Sequence, residues 1–279
     1  MAASSEPLIL RRAMCTGLAL GSALFSLAAA DAPPSPGALL DAMERAGREL
    51  RSYSTVLVKQ EWIGDGLAPE ERFEVAWEPG GVRLLKLDEP AKGREIAWAA
   101  DEHGGKLRVD PHGFPWIPLT LDPHGSLALR ETRHPVPESS IPFLVGLVVR
   151  NVRAAAARGE GGSRVLGADT LFGRPVWRFE AWGPAIVRED TIGPGERLSD
   201  VARRAGHPVS PILQANLDSG WRTGNDGRPG DVVRVPLYYA TRIELWVDAE
   251  THIPLKVLIY DLAGRLFERF EHREGTFRF

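Results

Sequence analysis

The sequence predicts an α+β protein: an antiparallel meander with two amphipathic helices, interrupted by a small strand–helix–helix–strand module. Three observations predict it. Short segments of alternating apolar and polar residues recur at roughly 8–12-residue spacing between Gly- and Pro-containing turns. Two longer segments, 36–53 and 142–157, carry apolar residues at helical spacing. Between 190 and 236 the period changes from strand to helix and back within one short run.

The chain opens with a targeting segment. Arg11 and Arg12 supply a positive flank, Ala13 to Ala29 is a small apolar run, and Ala28-Ala29-Ala30 fits an A-x-A cleavage site before Asp31. The run is rich in Ala, Gly and Ser, a poor composition for a stable membrane span, so 1–30 reads as a cleaved signal peptide. Cys15 is the only cysteine and lies at the start of that run, the wrong place for a lipid-anchored cysteine. The exported chain then has no thiol, which excludes disulfides, cysteine metal sites and cysteine nucleophiles, and suits an oxidising compartment such as the periplasm. Net charge is −3 with both signs interspersed, which gives no footprint for nucleic acid.

Ser35 can cap a helix that starts at Pro36 and runs to Tyr53, with Leu39, Leu40, Met43, Gly47 and Leu50 on one stripe. In the next segment Val56, Val58 and Trp62 alternate with Leu57, Lys59 and Glu61. Phe73, Val75 and Trp77 alternate with charged neighbours in the half-buried strand pattern. Further strands are read at 82–87, around Ile96 and Trp98, and around Leu107 and Val109. The stretch 115–123 is proline-rich and irregular. A second helix runs from Pro142 to Ala157, with arginines near its end where the helix dipole favours them. Strands follow at 164–168 and 175–181, and after the module at 239–248, 253–260 and 265–273.

In the module, Thr191-Ile192 starts a strand, and Leu198, Val201, Ala202 and Ala205 form a helix ended by Gly206. Ser210 reads as the N-cap and Pro211 as the first residue of a second helix closed by Asn216. The run 230–236 is a closing strand stopped by Pro236. Paired antiparallel, the two strands would put the module's ends roughly 5 Å apart, the gap that a hairpin loop between the Trp177 and Leu245 strands offers.

The module resembles the LysM family of peptidoglycan- and chitin-binding modules, through Thr191-Ile192-x-Pro194-Gly195-Glu196-x-Leu198-Ser199-x-Val201-Ala202, Leu213-x-x-Asn216 and Pro229-Gly230-Asp231-x-Val233-x-Val235-Pro236. The chain departs from the family at Glu196-Arg197, where Asp-Thr is usual and a good N-cap is therefore missing, and in its longer loop 219–228. The resemblance implies glycan contacts at Gly195, Glu196, Arg197 and Leu198, at Asn216, Leu217 and Asp218, and at nearby Ile212 and Leu213, with Trp221 placed to stack on a sugar. The alternative is a degenerate module kept as a spacer or protein contact.

The remainder resembles a family of exported bacterial proteins of unknown function placed with the LolA-like, LppX/RseB-like fold. The carrying residues are Tyr53 with Lys59-Gln60-Glu61, Asp122-Pro123-x-Gly125-x-Leu127-Ala128-x-x-Glu131-x-Arg133-His134-Pro135, and Asp248-x-Glu250-x-x-x-Pro254 with Tyr260-Asp261. The resemblance implies a curved antiparallel half-barrel sheet with helices on its concave face. It divides the chain into a signal peptide (1–30), a discontinuous half-barrel domain (31–187 and 238–279) and the inserted module (188–237).

Sequence motifs offer no catalytic site. The seven histidines show no metal-ligand spacing, and there is no nucleophile elbow, phosphate-binding loop or dinucleotide fingerprint. No enzyme, metal or cofactor is expected. His134 is the best single candidate for a role and reads as a structural histidine that hydrogen-bonds the backbone at a strand end. The aromatic set Trp62, Phe73, Trp77, Trp98, Trp177 and Phe179 has two readings: it lines the concave face against an acyl chain, or it is core filled by the helices. The expectation is a cell-envelope binding protein whose partners are peptidoglycan and a lipid or lipoprotein. The alternative is a sensor or assembly factor whose half-barrel meets an envelope protein.

Overall fold

The computed structural model describes residues 32–64 and 66–279, so the expected signal peptide and Cys15 lie outside the described residues. From Pro33 onward the chain forms one compact unit. Helix α1 (Pro36–Glu49) begins where Ser35 Oγ accepts from the Ala38 amide at 3.2 Å. It stops at Glu49 and does not reach Tyr53. Leu50 turns extended, and Tyr53 is drawn into the first strand, where its ring stacks on Trp77 with centroids 5.4 Å apart. Burial of Tyr53 against Trp77 outweighs the helical spacing.

Strands β1 (Ser52–Ile63), β2 (Gly66–Leu67), β3 (Glu71–Glu78), β4 (Gly81–Lys86), β5 (Glu95–Ala99), β6 (Leu107–Asp110) and β7 (Leu119–Leu121) precede helix α2 (Ile141–Ala157). Strand β7 falls inside the stretch read as irregular. Its Leu119 and Leu121 pair with Val109 and Leu107 and bring two apolar side chains to the core. Strands β8 (Gly162–Leu171), β9 (Arg174–Trp182), β12 (Arg242–Asp248), β13 (Pro254–Tyr260) and β14 (Leu266–Arg278) complete the host. The numbers in between belong to the module: β10 (Val187–Thr191), α3 (Leu198–Ala205), α4 (Val209–Ala215) and β11 (Val232–Pro236).

The host sheet is antiparallel throughout, in the order β7-β6-β5-β4-β3-β1-β14-β13-β12-β9-β8, with β2 paired to β1. Laid flat, the ten gaps of that path would span about 48 Å. Yet a single core joins Leu107 and Val109 of β6 to Phe179 of β9 and Leu245 of β12, around Met43 of α1 and Val145 of α2. The sheet therefore curls around the two helices. Strands β7 and β8 do not pair, so it is an open half-barrel and not a closed one. Gly47 has no side chain where α2 crosses, and a Cβ there would sit 3.4 Å from Val145.

The face of β1 is the reverse of what alternation suggests. Register pairs Leu57 with Phe73 and His272, and Lys59 with Glu71 and Phe270, so Leu57, Lys59 and Glu61 point into the half-barrel. Val58 is fully buried on the opposite, convex face. Its cross-strand neighbours there are Arg72 and Glu271, and Glu271 is ion-paired with Arg269 (2.7 Å), Lys256 (3.3 Å) and Arg273. The aliphatic stems of these long side chains cover the valine.

The module fills the connection between β9 and β12, which pair directly (Trp182 opposite Arg242). Strands β10 and β11 pair antiparallel, and Ile192, Leu198, Val201, Ile212, Val233 and Val235 form a separate small core. Gly206 ends α3 in the left-handed conformation, φ 74°. The second helix begins two residues earlier than an N-cap at Ser210 suggests. Pro208 is its N-cap, and Ser210 and Pro211 lie within the first turn, where a missing N–H costs nothing. No helix among the described residues is long and apolar enough to cross a membrane.

Candidate functional site

A cavity of about 300 Å³ opens between the concave face of β3–β7, the first turns of α2 and the segment 127–140. Its wall is mostly aliphatic: Leu84, Ile96, Leu107, Val109, Leu121 and Leu147 are among the residues that line it. Helices α1 and α2 fill the rest of the half-barrel but not this end. The size lies at the lower end of the range for small-molecule sites, about 300–1,000 Å³, and the apolar lining with a few convergent polar groups is typical of them.

Part of the polar lining forms one cluster. Lys59, Glu61, Thr132 and His134 line the cavity and belong to a buried network. Glu61 of β1 stands directly opposite Glu268 of β14 in the strand register, and both are buried. Two like charges facing across a sheet repel. The segment 132–134 resolves this by inserting between them. Arg133 donates its Nε to Glu268 (3.2 Å) and its amide to Glu61 (3.2 Å), and Thr132 donates its hydroxyl to Glu61 (3.0 Å). Lys59 adds a 2.7 Å ion pair to Glu61, and Tyr239 donates its hydroxyl to Glu268 at 2.7 Å. His134 Nε2 sits 3.1 Å from Glu268 and 3.0 Å from the Tyr239 hydroxyl.

Electrostatics follow from this packing. Burial works against the charged form of Lys59, but Glu61 and Glu71 hold its ammonium and raise its pKa. Burial likewise opposes ionised Glu61, and Lys59 and His134 outweigh it, so that carboxyl is lowered. Burial disfavours protonated His134, yet Glu268 and Glu61 raise it. Tyr239 is pushed well up by burial and by the Glu268 charge. His272, also on the cavity wall, has no such partner, its Nδ1 is unpaired, and burial lowers its pKa to about 4.

His134 thus bonds a carboxylate and a phenol, not the backbone. Its neighbour Arg133 also reaches the module, donating to the Ser210 carbonyl at 2.9 Å, while its guanidinium lies 3.6 Å from the centre of the Phe267 ring. One side chain therefore ties β14, β1 and α4 together.

Of the six aromatic residues expected on the concave face, only Phe73 lines the cavity. Phe179 is core, and Trp77 stacks on Tyr53. Trp98 donates its indole N–H to the Gly105 carbonyl (3.0 Å), and Trp177 packs half-buried against the core. Trp62 lies under the Arg265 guanidinium at 4.5 Å. The aliphatic lining was missed because leucine and isoleucine read equally well as core, and Glu268 and Tyr239 because their partners are distant in sequence.

In the module, Leu198 and Ile212 are core and wholly buried. Asn216 is also buried: its Nδ2 donates to the Ile212 and Arg234 carbonyls, both at 2.7 Å, and its Oδ1 accepts from the Arg234 amide at 2.9 Å. Glu196 accepts from the Gly193 amide and pairs with Arg204 at 2.6 Å, and Asp218 pairs with Arg234. Arg197 has no acceptor with which to cap α3; instead Asp200 accepts from its amide at 2.8 Å. The long loop 219–228 folds over that helix end, where the Leu198 and Ser199 amides donate to the Asp226 and Gly224 carbonyls at 3.1 and 2.8 Å. Gly195, Arg197 and Leu217 stay exposed, and Leu213 and Trp221 are half-buried against the module core. Among the described residues no group of three or more His, Cys, Asp or Glu side chains is placed to hold a metal ion.

No curated protein matches the chain. Solved structures similar to it include MucB (15% identity, 86% of this chain and 58% of that chain, TM-score 0.41). They also include the lipoprotein LppX of Mycobacterium tuberculosis (12% identity, 86% and 95%, TM-score 0.41) and a LolA superfamily protein of Nitrosomonas europaea (11% identity, 88% and 94%, TM-score 0.28). The chain spans little more than half the length of MucB. The LysM resemblance has no counterpart among these comparisons. Residues 50–188 match the model of a family described as a protein of unknown function, DUF1571.

Proposed function

We propose that the protein is a non-catalytic binding protein of the cell envelope whose half-barrel holds an apolar chain, that of a lipid or a lipoprotein. One observation carries this: the aliphatic cavity of about 300 Å³ that the two helices leave unfilled. Each buried CH₂ of an acyl chain would gain about 0.8 kcal/mol there. The buried carboxylates Glu61 and Glu268 support binding and not chemistry, because Lys59, Thr132, Arg133, His134 and Tyr239 already occupy them. The test is solvent extraction of the purified protein followed by mass spectrometry. Recovered acyl lipid in near-stoichiometric amount supports the reading; a protein with no extractable lipid that also fails to take up fatty acid contradicts it.

For the module, glycan affinity rests on the LysM resemblance and on the residues that stay exposed or half-exposed, Gly195, Arg197, Leu213, Leu217 and Trp221. Deleting 189–237 should abolish sedimentation with insoluble peptidoglycan, and unchanged sedimentation would reject that role. A second reading of the host, contact with an envelope protein, is favoured by the open sheet edge at β8, where Leu166 and Phe172 stand exposed. Such an edge accepts an added strand from a partner.

A further inference from the structure

The three most exposed large apolar side chains among the described residues, joined by Leu127, lie by the mouth of the cavity. Phe114 is 87% exposed, Trp116 78%, Ile117 61% and Leu127 55%. A soluble surface seldom gathers four large apolar side chains without a use for them. Three of the four belong to the loop between β6 and β7, and Phe114, Pro115 and Leu127 also line the cavity. The exposed patch and the cavity wall are therefore one continuous apolar surface. Trp116 holds its ring outward with a backbone φ of 62°, a left-handed conformation that is strained for a bulky side chain.

We infer that this loop docks the protein on a lipid bilayer, so that an acyl chain passes between membrane and cavity without crossing water. The inference rests on the proposed acyl-binding role of the cavity. Three features favour a bilayer over a protein partner or a second copy. Pro111, Pro115 and Pro118 remove three backbone N–H donors from the loop, donors that lipid, unlike a protein surface, could not satisfy. Tryptophan is the side chain most at home at the membrane–water boundary. At the mouth, the partly exposed guanidinium groups of Arg94 and Arg130 flank the Glu131 carboxylate at 3.0 Å each, placed to meet a lipid phosphate, while Glu71 and Glu138 also line the cavity. Exposed Glu89 and Asp110 do not line the mouth.

The test uses residues 33–279, a compact unit that lacks the apolar N-terminal run able to bind lipid by itself. It is floated with vesicles of phosphatidylethanolamine and phosphatidylglycerol, beside the Trp116→Ser/Ile117→Ser variant. Neither side chain lines the cavity, so affinity for a soluble fluorescent fatty acid checks that the variant is folded and its cavity intact. The expected result is flotation of the wild type, a loss of ten-fold or more in vesicle partition for the variant, and equal fatty-acid affinity in both. Equal partition of the two proteins, or a wild type that ignores vesicles and self-associates through this loop, overturns the docking. Loop-dependent flotation without any fatty-acid uptake supports the docking and rejects the cavity reading instead.

Discussion

Glu61 and Glu268 face each other across neighbouring strands, both buried, with Arg133 inserted between them. The fold keeps two opposed carboxylates inside because Lys59 of β1 pairs with Glu61 while one loop brings Arg133 and His134 to Glu268. Replacing Arg133 by Met should leave Glu61 held by Lys59 and Glu268 by His134 and Tyr239 alone, and destabilise the protein by about 3–5 kcal/mol in urea unfolding. Adding Glu268→Gln should recover a large part of that loss, since the repulsion goes with the charge. Additive losses in the double variant would show that the pair is not coupled.

The two buried histidines of the cavity wall should titrate in opposite directions. For His134 the folded state binds the proton more tightly than the unfolded chain, because Glu268, Glu61 and the adjacent Glu138 outweigh burial and Arg133. Its contribution is full below about pH 6.5 and is lost as pH rises through the folded value. For His272 the folded value is about 4, set by burial. The unfolded chain takes that proton first, so stability falls as pH drops from about 6.5 toward 4, by up to about 3 kcal/mol. Ring-carbon NMR titration of the seven histidines checks both. A His272 resonance that titrates at an ordinary value would contradict the buried, unpartnered ring.

Asn216 belongs to the module's architecture. Truncation to Ala removes two hydrogen bonds to Arg234 of β11 and one to Ile212 of α4 and leaves buried main-chain groups unpaired, at a cost of about 2–4 kcal/mol. Hydrogen exchange should quicken in α3, α4 and β11 while β1 and β14 stay protected. Loss of glycan binding in Asn216→Ala would accordingly report unfolding of the module and not a lost contact.

The strands were legible wherever burial is one-sided: Phe73, Val75 and Trp77 alternate with charged residues because β3 has one wet face. Strand β1 was not, because each of its faces is covered by partners distant in sequence. Lys59 and Glu61 point inward to Thr132 and Arg133, some 71–73 residues on, and Val58 points outward beneath arginine stems. The segment 131–135 stood out in the sequence as a motif. Its role did not, since that role depends on Glu268, 135 positions beyond Arg133. The cavity was hidden for another reason. Aromatic residues draw attention, but here they are mostly structural, and the open wall is built from leucine, isoleucine and valine.

The central claim is that the cavity holds an acyl chain, and filling it from within tests this most directly. Leu144, half-buried on α2, lines the cavity, and a tryptophan there would occupy its volume. The measurement is equilibrium titration of residues 33–279 and of the Leu144→Trp variant with a fluorescent fatty acid. We expect saturable one-to-one binding by the wild type, a loss of ten-fold or more in the variant, and unfolding midpoints that stay close together. Absent binding by the wild type, or equal affinity in a folded Leu144→Trp protein, would contradict the account.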